Sequence, residues 1–257
     1  MVKKLRKKLI VAYKGTNYNG FARQAQDKVH GSGTRTISAE IEMAINKITT
    51  EEVKVIGAGR TDSGVHALAQ VCLIDVRTQI GNFGLMQAIN NKLPKDIVIK
   101  SIEDVSEEFH PTFSAKSKRY RYQILNSALP CPFKSDVVYY YPYKLDLLKM
   151  REAAKELIGT HDFKAFCAAK SSVLQKGSST VRTILDIEIE KDSEEIITIT
   201  VVGNGFLYNM VRIIVGTLID KGMDRGIAIK EIIERKERKY AGKTVPASGL
   251  TMISVEY

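Results

Sequence analysis

Short runs in which apolar residues alternate with polar ones are separated by stretches in which apolar residues recur at helical spacing, and the order of these runs predicts the fold. Residues 9–13 read as a first strand. Ile37, Ile41, Ala44, Ile45 and Ile48 then fall three and four residues apart, which is one apolar stripe of an amphipathic helix. Residues 53–56 and 71–76 are strand-like, a helix over 85–91 ends before Pro94, and 97–99 makes a further strand. The resulting order, β-α-β-β-α-β, is the ferredoxin-like arrangement, a sheet topology compatible with RNA binding.

The second half uses the same alphabet. Strands are predicted at 119–125 and 137–141, with a helix over 145–158 closed by Gly159. Strands at 181–189 and 196–202 follow, then a helix over 206–219, a basic helix near 227–238 and a last strand at 250–255. Residues 168–179, serine-rich with few apolar positions, read as a loop that orders on a ligand. No sequence repeat relates the halves. On strand 119–125, Tyr120, Tyr122 and Ile124 share one face, so alternation alone makes Tyr120 a core residue.

The length of 257 residues suits two halves, each able to bury a core, with 1–105 as the first and 106–257 as the second. A formal net charge of +10 favours a polyanionic partner, RNA, DNA or an anionic membrane surface, without choosing among them. Basic residues are spread over 3–8, 116–121, Lys170, Lys176, Arg182 and 230–243, and each cluster alone is compatible with a solvated face. Cys72, Cys131 and Cys167 are far apart and form no metal-binding pair, which fits a reducing cytoplasm. The apolar residues after the basic start are too few for a signal peptide, and 206–219, interrupted by Asn209 and Arg212, falls short of a membrane span.

Candidate chemistry concentrates in Gly57-Ala58-Gly59-Arg60-Thr61-Asp62-Ser63-Gly64-Val65-His66. The run follows a short apolar strand, and its glycines can expose a short carboxylate. The dinucleotide fingerprint fails because Asp62 stands where glycine is required, the phosphate loop lacks Gly-Lys-Ser/Thr, and a hydrolase elbow would need serine at Asp62. Two readings stand on pattern alone: Asp62 closes a turn, since Asp-Ser-Gly is ordinary turn chemistry, or it is a reactive carboxylate. Arg60 can pair with it and hold it ionised.

The string Gly59-Arg60-Thr61-Asp62-Ser63-Gly64-Val65-His66-Ala67 resembles the signature of the tRNA pseudouridine synthase A (TruA) family. Further segments agree in the same order. They are Tyr13-Lys14-Gly15-Thr16-Asn17-Tyr18-Asn19-Gly20-Phe21, Lys118-Arg119-Tyr120-Arg121-Tyr122, Val181-Arg182-Thr183-Ile184, Asn204-Gly205-Phe206-Leu207-Tyr208-Asn209-Met210-Val211-Arg212 and Ala247-Ser248-Gly249-Leu250. The resemblance implies an α+β pseudouridine synthase fold, two ferredoxin/RRM-like halves forming one mostly antiparallel sheet with helices on one face. In that reading the first half carries the Asp loop and the second completes the active-site cleft.

The implied activity is isomerisation of uridine to pseudouridine in RNA with Asp62 as the essential residue, acting as a nucleophile at the sugar C1′ or at uracil C6. No cofactor and no metal are implied, because the reaction needs neither redox equivalents nor net hydrolysis. Tyr120 is carried over as packing on the target uracil, with a proton relay as its alternative role. Leu250 becomes an apolar wall of the pocket, a role in competition with that of a core leucine at a strand start. Arg60 can fill the gap left by an extruded base. Arg212, a charge within an apolar stretch, requires a partner, either Asp62 or a phosphate. His66 reads as a structural hydrogen-bond partner, and His30, His110 and His161 show no ligand spacing.

The family implies tRNA as partner, with uridines at positions 38 to 40 of the anticodon arm as targets, a homodimer, a cytoplasmic location and no membrane. The chain departs from the family pattern at Phe21-Ala22, where Trp-Gln is usual, and at Thr112, where arginine is common; both bear on RNA choice. Three rivals are a paralogue that performs the same chemistry on ribosomal RNA, which would keep Asp62 and alter such outer contacts, a non-catalytic RNA-binding or chaperone protein, which would not need an acidic group facing a polyanion, and a metal-dependent nuclease, which would need clustered carboxylates or histidines.

Overall fold

The computed structural model describes residues 4–23, 35–49, 51–193 and 195–257; Lys3 and His30 lie outside them. The chain divides into two compact units, one made of the residues up to Lys116 together with Met252–Tyr257, the other of Ser117–Thr251.

In the first unit the elements run β1 (Lys4–Tyr13), α1 (Ile37–Thr49), β2 (Ile56–Gly57), β3 (His66–Arg77), α2 (Asn82–Asn90) and β4 (Ile97–Asp104), in the predicted order. Strands β4 and β3 both pair antiparallel with β1, on its two sides. The other side of β3 takes β2 and also β10 (Leu250–Glu256), whose residues from Met252 onward belong to this unit. Lys7, Leu9, Val11 and Tyr13 point inward from β1. Lys7 is buried because its ammonium donates to Asp104 Oδ1 and Asn82 Oδ1, each at 2.6 Å. Helix α1 buries Ile37, Ile41, Ala44 and Ile45 of the predicted stripe and leaves Ile48 half-buried, and α2 buries Leu85 and Ile89. The strand expected at 53–56 is reduced to the two residues of β2.

In the second unit the elements are β5 (Ser117–Leu125), β6 (Tyr139–Tyr140), α3 (Leu147–Lys155), β7 (Gly159–Asp162), α4 (Ser172–Gln175), β8 (Val181–Lys191), β9 (Ile196–Gly203), α5 (Met210–Gly222) and α6 (Ile229–Arg235). The sheet order is β5-β9-β8-β7, antiparallel throughout, with β6 added parallel to β5. Tyr120, Tyr122 and Ile124 are buried on one face of β5, as alternation predicts. Helix α5 is buried along most of its length and packs on α3 and β5. It starts at Met210 rather than at 206, because Asn209 sits in the left-handed region at φ 61° and cannot continue a helix. The expected loop at 168–179 contains α4, capped by the Ser171 hydroxyl accepting from the Val173 amide. Among the described residues, no helix is long and apolar enough to cross a membrane.

Candidate active site

Strands β2 and β3 form the stem of the loop that carries Asp62. Gly57 is opposite Cys72, and the Ala58 amide donates to Val71 O at 2.8 Å before the chain leaves the ladder. The buried Gln70 side chain donates from Nε2 to Gly59 O at 2.8 Å, which fixes the point of departure. The tip is a turn in which the Val65 amide donates to Asp62 O at 3.1 Å, and Gly64 supplies the positive φ of 79° it needs.

The opening segment of the chain holds this loop from the other side. Tyr13 Oη and Thr61 Oγ1 are 2.7 Å apart, both buried, and the Phe21 amide donates to Thr61 O at 3.1 Å. Tyr18 O accepts from Ser63 Oγ at 3.1 Å and from the Gly64 amide at 3.3 Å. Buried His66 accepts the Gly15 amide at Nδ1, 3.0 Å away. An accepting Nδ1 carries no proton, so His66 acts there as a strut, in line with its reading from sequence. Tyr18 itself donates its phenol to Asp96 Oδ1 at 2.5 Å; burial and then that bond raise its pKa well above the ordinary tyrosine range, so it remains a neutral donor. The residues flanking Asp62 are therefore anchored, which is what a carboxylate needs to meet a reacting atom reproducibly. Arg60, two residues earlier, is exposed.

The other sequence-derived residues belong to the second unit. Tyr120 is 7% exposed, and its ring meets the edge of Phe206 at a centroid distance of 5.1 Å and 85° between planes. Arg212, on α5, donates from Nε to Val245 O at 2.7 Å and from Nη1 to Asn209 Oδ1 at 2.8 Å. Leu250 is buried beside Gly249, where a β-carbon would lie 2.6 Å from the Tyr122 ring. Tyr122 donates its phenol to Pro246 O at 2.8 Å, and burial raises its pKa beyond the usual tyrosine range. Sequence reasoning did not single out Tyr13, Thr61, Gln70 or Phe206 as supports. Tyr13 and Phe206 are visible only as members of the same motifs, with nothing in their spacing to show what they hold.

Known proteins match this chain along most of its length. The family described as tRNA pseudouridine synthase matches residues 9–114 and 153–257. The protein named tRNA pseudouridine synthase A of Acetivibrio thermocellus is 44% identical over 252 residues, covering 97% of this chain and 98% of that one. The protein of the same name from Brevibacillus brevis is 42% identical over 254 residues, covering 98% and 99%. The chain belongs to the tRNA pseudouridine synthase family and is an isomerase.

Proposed function

We propose that this protein isomerises uridine to pseudouridine at one or more of positions 38 to 40 of the tRNA anticodon arm, with Asp62 as nucleophile. The observation that carries the reading is the loop itself: an aspartate at the tip of a turn whose flanking residues are fixed by Tyr13, Tyr18 and Phe21. Support for the substrate comes from relatives named for tRNA that align along nearly the whole chain.

The chemistry follows from what a held carboxylate can do. Asp62 adds to C1′ of the ribose, displacing N1, or to C6 of the uracil, after which the N1–C1′ bond breaks; the ring turns, C5 forms the new bond to C1′, and the bond to Asp62 is released, by displacement at C1′ or by elimination from C6. C5 then loses its proton and N1 gains one, so the product is an isomer of the substrate and no co-reactant is consumed. A stacked nucleotide is beyond reach of a side chain, so the target is extruded, with exposed Arg60 taking its place in the stack. Tyr120 packs on the extruded uracil, Leu250 is its apolar wall, and Arg212 serves substrate binding. The protein works as a homodimer in the cytoplasm, needing no cofactor. The test is to incubate the purified protein with an unmodified tRNA transcript and map pseudouridine base by base. Pseudouridine at 38 to 40 supports the reading, and its absence from that arm removes it.

A further inference from the structure

Lys118 and Arg182 lie on neighbouring parts of one sheet face in the second unit. Lys118 is opposite Gly203 across β5 and β9, and Gly203 is opposite Ile184 across β9 and β8. Arg182 precedes Ile184 by two residues and so shares its face, as Lys118 shares the face of Tyr120. Between the two cations β9 contributes Gly203, which has no side chain, and the Phe206 ring lies 3.1 Å from where its β-carbon would be. Phe206 is also the ring that meets Tyr120.

Arg182 is pinned by Nη1 donating to Ser179 O at 3.0 Å and Val181 O at 2.6 Å, and its Nε lies 3.7 Å from the β-carbon position of Gly205. Two cations and an aromatic edge thus surround a floor of glycines. Burial, and after it the charge of Arg182, hold the Lys118 ammonium below the ordinary lysine range. Two cations side by side on one face can each donate a charge-assisted hydrogen bond to the oxygens of a single phosphate.

Resting on the proposed function, we infer that Lys118 and Arg182 together grip a single phosphodiester group of the RNA, the one adjoining the nucleotide that packs on Tyr120. One strand repeat separates Lys118 from Tyr120, about 6.5 Å, so a base on the tyrosine and a phosphate on the lysine are spaced as parts of one nucleotide. Both residues position the substrate and take no part in bond making.

A shared phosphate has a distinctive signature in the salt dependence of RNA binding. For Lys118→Met, Arg182→Met and the double variant, dissociation constants for the tRNA transcript are measured over a range of salt. Each single variant is expected to lower the slope of log Kd against log salt by about 1, and the double variant by the same amount rather than twice it. Lys118→Arg should restore the slope. With uncharged methylphosphonate linkages on either side of the modified uridine, wild-type affinity should fall about tenfold, while Lys118→Met should show no further loss. Unchanged slopes, or a doubled loss in the double variant, overturn the shared site. Thermal melting checks folding, and should Lys118→Met fail to fold, the Arg182→Met slope and the methylphosphonate RNA decide. Wild-type protein that modifies no tRNA uridine would remove the proposed function instead, an outcome separate from these slopes.

Discussion

A β-carbon on Gly20 would stand 2.6 Å from the carbonyl oxygen of Thr61, and Gly20 holds φ at +93°. The backbones touch only because residue 20 has no side chain, and the contact lies one residue before Asp62. Gly20→Ala is expected to displace the loop and lower kcat by about a hundredfold, the effect of a misplacement of about 1 Å. Gly81→Ala is the control, since Gly81 has φ −62° and nothing within 4 Å of its β-carbon position; its kcat should be unchanged. A normal kcat for Gly20→Ala would show that turnover does not depend on this support of the Asp62 loop.

Asp62→Asn replaces the carboxylate by a neutral amide while nearly preserving shape. Turnover should disappear and RNA binding should persist, because binding by a chain of net charge +10 rests on phosphate contacts. Activity of the wild-type protein should also survive exhaustive chelation, since an internal rearrangement consumes nothing. Near-normal turnover by Asp62→Asn would exclude it as nucleophile, and a strict metal requirement would favour the nuclease rival.

Acid stability tests the packing of the first unit. Asp75 accepts two bonds from Arg6, at 2.9 and 3.1 Å, and Asp104 accepts from Lys7. The bond to Arg6 holds the Asp75 pKa below the ordinary carboxylate range, and the bond to Lys7 does the same for Asp104. Each folded value lies below the unfolded one of about 3.9. The stability these pairs contribute is therefore present above that pH and lost as pH falls through the folded values. Urea midpoints measured between about pH 5 and about pH 2 should fall, and the fall should be shallower in Asp75→Asn and Asp104→Asn. Equal acid slopes in wild type and both variants would assign the loss to other groups.

Lys7 also shows where sequence patterning stops being readable. The predicted first strand starts at residue 9 because the charged run before it does not resemble a core, yet β1 begins at Lys4 and Lys7 points inward. Only its partners, nearly a hundred residues away for Asp104, make that burial tolerable, and no local pattern encodes them. The polar Gly-Thr-His-Asp of β7 was likewise unreadable, since it is a strand by virtue of pairing with β8. Strong periodicity survived translation into structure: α1, β5 and β9 stand where spacing put them, whereas β3 begins at His66, five residues before the strand expected at 71–76. For the site, the motif located the Asp62 loop, but the bonds from Tyr13, Gly15, Tyr18 and Phe21 that hold it connect segments distant in sequence.

The choice of RNA turns on the two departures from the family pattern, and both meet at Gly57. The Phe21 ring lies 2.5 Å from the β-carbon position of Gly57, and Thr112 Oγ1 donates to Gly57 O at 3.2 Å. Phe21 is only 2% exposed, so it shapes the stem of the Asp62 loop and cannot itself select an RNA; Thr112 is exposed and can. What a threonine lacks relative to arginine at that position is a charge, which changes affinity for any polyanion more than it changes which base is read. The purified protein is therefore expected to form pseudouridine within positions 38 to 40 of an unmodified tRNA transcript and to do little to ribosomal RNA fragments. Thr112→Arg should tighten RNA binding and steepen its salt dependence by about one phosphate contact while leaving the modified position unchanged. Modification confined to ribosomal RNA, or a shift of the modified uridine in Thr112→Arg, would mean that the surface beside Gly57 reads sequence and that the anticodon-arm assignment is wrong, with the role of Asp62 unaffected.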